Sequence, residues 1–272
     1  MKEINKLIIK AKKGNIKAIR ELINKYYFGD DKNKSAHSII PKNPEEAVRW
    51  AKIGTSKGDN YCLDVLGYCY HMGDGVEQNN IKAKEYWELA TKKGSYIAPY
   101  NLGIFYRNAW AVTKNNKKAL YYFNKTIKNK KVDKRWKNQT LKAIAGIYID
   151  GDGVKKNLKK GIKYYELSAK GGNLRAIYEL SNMYDEKLSY KKYEGIKKNQ
   201  ILAHKYYLLL ARKKFNFGEY QVALFYLNKL QKGINIKKNK KLFLKYMERT
   251  KKNKNFDLID QMDFSRDVTI KH

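Results

Sequence analysis

Hydrophobic residues recur along the chain in two alternating helical stripes. In six places a leucine-type residue is followed four positions later by a tyrosine: Tyr26, Tyr70, Tyr106, Tyr148, Tyr184 and Tyr226. Downstream of several of these tyrosines, a small residue precedes an aromatic pair by three and four positions, as Ala83 precedes Tyr86 and Trp87. Residues four apart lie on one face of a helix, so each unit predicts two amphipathic helices. Neither helix buries its apolar face alone, and the pattern therefore predicts stacked helix–turn–helix units.

Glycines and short polar residues predict where these helices end and begin. Three glycines follow second helices, where glycine permits the left-handed conformation of a C-cap: Gly58, Gly94 and Gly172. The residue after each of them is of a type that caps helix N-termini: Asp59, Ser95 and Asn173. Within a unit, the near-repeat Gly-Asp-Gly-Val at 73–76 and 151–154 is predicted to form the turn, followed by the capping residues Asn79 and Asn157.

Other interpretations of Gly-Asp-Gly-Val fail on its surroundings. An EF-hand counted from Asp150 would need an oxygen ligand at Val154 and a glutamate at Gly161. A phosphate-binding loop needs a preceding strand and a third glycine that opens a helix. A β-hairpin needs flanks of alternating hydrophobicity, whereas the flanks here have helical periodicity. The motif thus predicts a turn between two antiparallel helices.

The full pattern, Leu-Gly-x-x-Tyr, Gly-x-Gly-Val, Asn, Ala, an aromatic pair and Gly over 36 residues, resembles the Sel-one-like repeat (SLR), a relative of the tetratricopeptide repeat. The resemblance is close at 60–95 and good at 138–173. It implies an all-α fold, a right-handed αα-superhelix of about six repeats. The expected repeats are 16–59, 60–95, 96–137, 138–173, 174–215 and 216–254. Residues 1–15 are expected to form an N-terminal capping helix and 255–272 a C-terminal cap or tail, and insertions are expected at 127–133 and 187–194.

Composition adds a strong positive charge. The net charge is +33, and 51 of the 59 basic residues are lysines. Nucleic acid is one partner that such a charge suggests, and a compositional bias toward lysine, asparagine, isoleucine and tyrosine is the other explanation. The chain has no apolar run near the roughly 20 residues of a membrane span, and its N-terminus does not resemble a signal peptide. We therefore expect a cytoplasmic protein, or one that reaches a host cell by a non-classical route.

The sequence gives no sign of catalysis, and we expect no enzymatic activity, no cofactor and no metal. None of the four histidines belongs to a recognisable catalytic or zinc-binding motif. Cys62 and Cys69 are seven residues apart on one predicted helix, about 10 Å along its axis, which is beyond the reach of a disulfide.

The resemblance implies that the first helix of each repeat lines a concave groove. Its exposed positions are expected two residues before and after the leucine-type residue and just after the tyrosine. Ten of these are the candidate contacts: Tyr27, Asp64, Tyr68, His71, Tyr100, Ile104, Arg107, Tyr178, Asn182 and Tyr220. The lysines concentrate instead on second helices and loops. Tyrosine and arginine are favoured at protein-binding hot spots, so we expect an adaptor that binds a protein or peptide, as SLR proteins do in signalling, quality control and bacterial or viral dealings with hosts. The alternative is nucleic acid, or an acidic surface, held by convex lysines.

Overall fold

The structure is a computed structural model that describes residues 2–29, 41–252 and 269–270. It divides into two compact units, Met1–Val132 and Asp133–His272, called unit 1 and unit 2 below. Unit 1 has these helices: α1 Lys2–Lys12, α2 Ile16–Phe28, α3 Pro44–Ser56, α4 Asn60–Met72, α5 Asn80–Lys92, α6 Ile97–Arg107 and α7 Asn116–Lys128. Three hairpins, α2–α3, α4–α5 and α6–α7, stack in chain order, with α1 packed on α2.

Unit 2 continues the same architecture. Its helices are α8 Lys134–Asp150, α9 Leu158–Lys170, α10 Leu174–Tyr184, α11 Gln200–Arg212, α12 Asn216–Gln231 and α13 Ile236–Lys252. They form the hairpins α8–α9, α10–α11 and α12–α13. Between α10 and α11 lie a two-residue strand, β1 Leu188–Ser189, and a 3-10 turn, Lys191–Tyr193; β1 pairs antiparallel with β2 Thr269–Ile270.

Small residues let the two helices of a hairpin approach closely. A Cβ atom on Gly67 of α4 would lie 2.5 Å from the ring of Trp87 on α5, and one on Gly103 of α6 would lie 2.4 Å from the ring of Phe123 on α7. Both rings are fully buried. The predicted role of the small residue after each leucine, to admit the neighbouring helix, is therefore confirmed at these two positions.

The turn inside each hairpin is closed by an asparagine that makes two hydrogen bonds. Its backbone N–H donates to the carbonyl of the repeated tyrosine, as from Asn79 to Tyr70 at 2.7 Å and from Asn157 to Tyr148 at 2.8 Å. Its side-chain oxygen accepts from the third residue of the next helix, Lys82 or Lys160. The same pair of bonds occurs at three more turns, those of Asn43, Asn115 and Asn199.

The glycines of the turns adopt the predicted conformation. Gly73, Gly75, Gly151 and Gly153 all have φ between 67° and 77°. The glycines that follow second helices are also left-handed: Gly58, Gly94 and Gly172. The side chain of the residue after each of them accepts backbone N–H groups of the next helix: Asp59, Ser95 and Asn173. Gly-Asp-Gly-Val is thus the interhelical turn that the sequence predicts.

In five hairpins, a tyrosine ring of the first helix stacks nearly parallel on a tyrosine ring of the second helix. One ring comes from the repeated tyrosine of the first helix and the other from the aromatic position of the second, with centroids 5.5–6.2 Å apart and planes within 16°. The pairs are Tyr70–Tyr86, Tyr106–Tyr122, Tyr148–Tyr164, Tyr184–Tyr206 and Tyr226–Tyr246. The pair persists in the last hairpin, where the rest of the sequence pattern decays.

The predicted all-α solenoid of stacked helical hairpins is confirmed. The N-terminal helix is present as α1. Helix α8 begins at Lys134, four residues before the expected start of the fourth repeat, and the expected insertion at 127–133 ends directly before it. The expected helical face of Phe256, Ile259 and Met262 lies outside the described residues.

Candidate interaction surface

An exposed group of apolar side chains lies at the C-terminal ends of α2 and α4 in unit 1. The rings of Tyr27 and Tyr68 meet edge to face at 6.1 Å, and Phe28 packs edge to face on Tyr27 at 5.0 Å. Met72 follows Tyr68 by one helical turn and is 52% exposed. Tyr68 is 43% and Phe28 75% exposed. These four residues are called the aromatic patch below.

The turn motif fixes one member of the aromatic patch. The hydroxyl of Tyr27 donates a hydrogen bond to the carboxylate of Asp74, the aspartate of the first Gly-Asp-Gly-Val. Burial of Tyr27, followed by this bond, raises the pKa of its hydroxyl, so it remains a donor at neutral pH. This turn therefore does more than reverse the chain, because it holds a tyrosine of the preceding hairpin in place.

The next predicted contact in unit 1, His71, is anchored on two sides. Its Nδ1 lies 2.7 Å from Oδ1 of Asn80, and its ring lies 4.1 Å from that of Trp110 in the α6–α7 turn. Its side chain is half-buried. Trp110 did not emerge from the sequence pattern, since it occupies a turn and falls outside the repeated positions.

Three predicted contacts share helix α6. Tyr100, Ile104 and Arg107 follow one another at helical spacing, and all three are half-buried. The ring of Tyr100 packs on Phe123 at 5.8 Å, and burial raises the pKa of its hydroxyl. Part of each side chain remains open to solvent, so α6 extends the row of first-helix positions that begins at the aromatic patch.

Asp64 was expected on the exposed face, but the structure places it in the interior of unit 1. It is 6% exposed, and its Oδ2 accepts a 2.5 Å hydrogen bond from the hydroxyl of Ser95. Ser95 in turn accepts the N–H groups of Ile97 and Ala98 at the start of α6. Asp64 thus connects α4 to the N-terminus of α6 and is not available for direct contact with a partner.

In unit 2, Tyr178 and Asn182 are also interior, at 4% and 2% exposure. The ring of Phe217, from α12, lies 5.0 Å from that of Tyr178. The segment inserted between α10 and α11 packs on the same helix, since the hydroxyl of Tyr193 donates to the carboxylate of Glu179. Phe217 of α12 and the inserted segment therefore both pack against α10. Tyr220, on α12, is 43% exposed.

The described residues show neither a metal site nor a membrane span. No group of three or more His, Cys, Asp and Glu side chains in this part of the chain is arranged to hold a metal ion. No described helix combines the length and apolar content that crossing a bilayer requires. Cys62 and Cys69 are free and buried, and burial raises the pKa of the Cys69 thiol to about 12.

Solved structures of similar fold are SLR proteins. A protective antigen of uropathogenic Escherichia coli with an SLR fold superimposes with a TM-score of 0.64 at 19% identity, over 96% of this chain and 52% of the antigen. This chain thus spans about half the length of that protein. A Sel1 repeat protein from Oxalobacter formigenes gives a TM-score of 0.65 at 18% identity, over 88% of each chain. At these identities the likeness shows the fold alone.

Comparison by sequence assigns the family. A search of curated proteins found no match. A sequence model of the Sel1 repeat matches residues 35–59, 62–95, 98–130, 143–173 and 175–215, more than half of the chain. Among the described residues, these matches cover most of α3 to α11, together with their turn glycines and capping asparagines. The chain therefore belongs to the Sel1 repeat family.

Proposed function

We propose that the protein is a non-enzymatic scaffold that binds a protein or peptide partner through the first-helix surface of unit 1, centred on the aromatic patch. Sel1 repeat proteins generally mediate protein–protein interactions. The observation that carries the proposal is the exposure of Phe28, Tyr68 and Met72 side by side at the ends of α2 and α4. Exposed apolar side chains grouped in this way mark interaction sites in soluble proteins.

The packing beneath the aromatic patch supports this proposal. Tyr27 is held by Asp74 and supports the rings of Tyr68 and Phe28, so the surface is ordered before a partner arrives. Aromatic side chains with few rotatable bonds provide a large contact area at a low cost in conformational entropy. The adjoining half-buried residues His71 and Trp110 extend the surface along α4 and the α6–α7 turn.

Nucleic acid is the second candidate, and the net charge of +33 favours it. Lysine side chains lie over the outer faces of repeated tyrosines, as Lys82 does over Tyr70 at 5.4 Å and Lys118 over Tyr106 at 5.2 Å. Both are exposed side chains of second helices, and a third exposed lysine, Lys42, lies over the ring of Tyr27 in the aromatic patch at 5.5 Å. A lysine-dependent complex would lose roughly 10³–10⁵ in affinity between about 50 and 200 mM salt.

The proposal is tested by affinity capture at moderate salt with mass spectrometry, using the wild type and two tyrosine variants. Tyr68→Ala removes a ring of the aromatic patch. Tyr121→Ala removes a ring that is 60% exposed on the second helix α7 and serves as the matched control. We expect a protein captured by the wild type and Tyr121→Ala to be lost or strongly depleted with Tyr68→Ala. Equal capture by all three proteins would contradict the proposed surface.

A further inference from the structure

A cavity with a cationic lining lies in unit 2, where α8 and α10 begin side by side. Its volume is about 610 Å³. Six polar or charged residues line it: Lys134, Arg135, Asn138, Gln139, Asn173 and Arg175. Three of the six are cationic, and none of the described lining residues is acidic. This arrangement differs from the aromatic patch in both its location and its chemistry.

The cavity lies along the helical face that the repeat pattern assigns to partner binding. Arg135 precedes the first-helix position Lys142 by seven residues on α8, and Arg175 precedes Asn182 by seven on α10. Seven residues make about two helical turns, so each arginine lies on the same face as the later position. In unit 2 the downstream part of this face is filled by Phe217 and the inserted segment. The cavity lies at the N-terminal ends of α8 and α10, ahead of this filled part.

Acidic groups close to the cavity leave its positive charge in excess. The Nε of Arg175 donates to Oε1 of Glu179 at 2.8 Å, but Glu179 also accepts from Nζ of Lys192 at 3.1 Å. Burial raises the pKa of Glu179, and the positive charges of Lys192 and Arg175 outweigh this, so the net pKa is below its usual range. Asp133 caps α8 by accepting the backbone N–H of Trp136. Two carboxylates, those of Glu179 and Asp133, thus stand against four cations, and the balance beside the cavity is positive.

We propose that this cavity binds an oxyanion, the carboxylate or phosphate group of an acidic peptide segment. Guanidinium groups present paired N–H donors that match the geometry of both anions, and a lysine ammonium adds a point charge. The side-chain amide of Gln139 supplies a polar group on the same wall, whereas the buried amide of Asn138 already donates to the carbonyl of Gly171. The identification of the ligand as a peptide rests on the proposed function, whereas the binding of the anion does not.

The test uses blocked single amino acids as probes, in N-acetyl and N-methylamide form: phosphoserine, glutamate and serine. Each is titrated into the ¹⁵N-labelled full chain and followed by the chemical shifts of backbone amides. We expect saturable shifts at residues 134–139 and 171–175 with phosphoserine, glutamate or both, and none with serine. A response to phosphoserine alone identifies a phosphate site, and a response to glutamate alone identifies a carboxylate site. No saturable shift there with either anion would overturn the proposal.

Two arginine variants show whether the cavity itself is responsible. Arg135 is an exposed residue in the first turn of α8, so Arg135→Ala should fold, which circular dichroism checks. We expect it to weaken anion binding about fivefold to tenfold. Arg212→Ala removes the same charge from the exposed end of α11, outside the cavity, and should bind like the wild type. The site is contradicted if both variants weaken anion binding equally, or if neither variant weakens it.

A third variant separates this proposal from the proposed function. Tyr68→Ala changes unit 1 only and should bind the anion probes like the wild type. If Tyr68→Ala retains the captured partner but the probes bind as expected, the aromatic patch is wrong and the cavity stands. If the anion probes do not bind and Tyr68→Ala loses the partner, the aromatic patch stands and the cavity proposal is wrong.

Discussion

At the scale of single residues, buried acidic side chains connect neighbouring helices, Asp64 between two hairpins and Asp185 within one. Asp64 on α4 accepts from Ser95, which caps α6, and Asp185 after α10 accepts from the hydroxyl of Tyr207 on α11 at 2.5 Å. Both carboxylates are almost fully buried. Burying a carboxylate costs free energy unless it is neutralised or hydrogen-bonded. These residues therefore contribute specific links within the apolar stack.

Asp64 makes the stability of unit 1 depend on pH. Burial raises the pKa of its carboxyl to about 7, against the lowering effect of the Ser95 hydrogen bond. The unfolded chain releases this proton at lower pH, so the free energy of unfolding should fall as pH rises from about 4 to about 7, by at most about 1.4 kcal/mol per pH unit. Asp64→Asn keeps an acceptor for Ser95 but cannot ionise, and it should show a smaller fall in urea denaturation over this range. Identical pH profiles for the two proteins would count against the buried carboxyl.

The sequence alone did not reveal this role of Asp64. The repeat register puts it on the same helical face as Tyr68, so it was expected to be exposed. The register does not show that a hydroxyl of the next repeat, Ser95, reaches back to it, because that contact depends on how closely the hairpins stack. Tyr178 was misplaced for a related reason, since the ring of Phe217 from α12 packs on it. Asn182, one helical turn later on α10, is buried as well.

At the scale of elements, two features set the geometry of the hairpins: a glycine where the helices cross in α4–α5 and α6–α7, and an asparagine where the chain turns in five hairpins. Both recur at the period of the sequence repeat, which is why the helices and turns could be predicted. Repetition identified Asn79 and Asn157 as caps without any structure, and each makes that bond. The inserted segment between α10 and α11 has no second copy, so its 3-10 turn and its contact with Glu179 could not be inferred.

Replacing the glycine at a helix crossing by alanine should change the stability of the protein in the direction opposite to the usual one. Replacing an interior helical glycine by alanine usually stabilises a helix by about 1 kcal/mol. Gly67→Ala should instead destabilise the protein by about 1–3 kcal/mol, because the added methyl group would overlap the buried ring of Trp87. Urea denaturation followed by circular dichroism measures the change. A more stable Gly67→Ala protein would show that the helices cross less closely than described.

Removing the side chain of a turn asparagine should lower the stability of the protein by the amount usual for a lost helix N-cap. Asn157→Ala removes the side-chain acceptor for the N–H of Lys160 and should lower the free energy of unfolding by about 1 kcal/mol. Lys155→Ala changes an exposed residue of the same turn and should stay within about 0.5 kcal/mol of the wild type. Thermal or urea denaturation of the three proteins compares them. Equal stability of both variants would argue against the cap.

At the scale of the whole molecule, much of the positive charge and the aromatic patch are carried by different elements. The net charge of +33 arises mainly from lysines, many of which are exposed on second helices and turns, whereas the aromatic patch is carried by the first helices α2 and α4. The family assignment supports an interaction scaffold but does not distinguish an apolar contact from an electrostatic one. The dependence of binding on salt does distinguish them, because only lysine–phosphate contacts release many counterions.

The central claim is tested most directly by isothermal titration of the captured partner at about 50 and 200 mM salt. The partner is titrated into the wild type, Tyr68→Ala and Tyr121→Ala. Our account predicts that the wild-type affinity falls less than about tenfold between the two salt concentrations, that Tyr68→Ala binds at least about tenfold more weakly, and that Tyr121→Ala matches the wild type. An affinity that falls about a thousandfold or more with salt and is unchanged in Tyr68→Ala would contradict it.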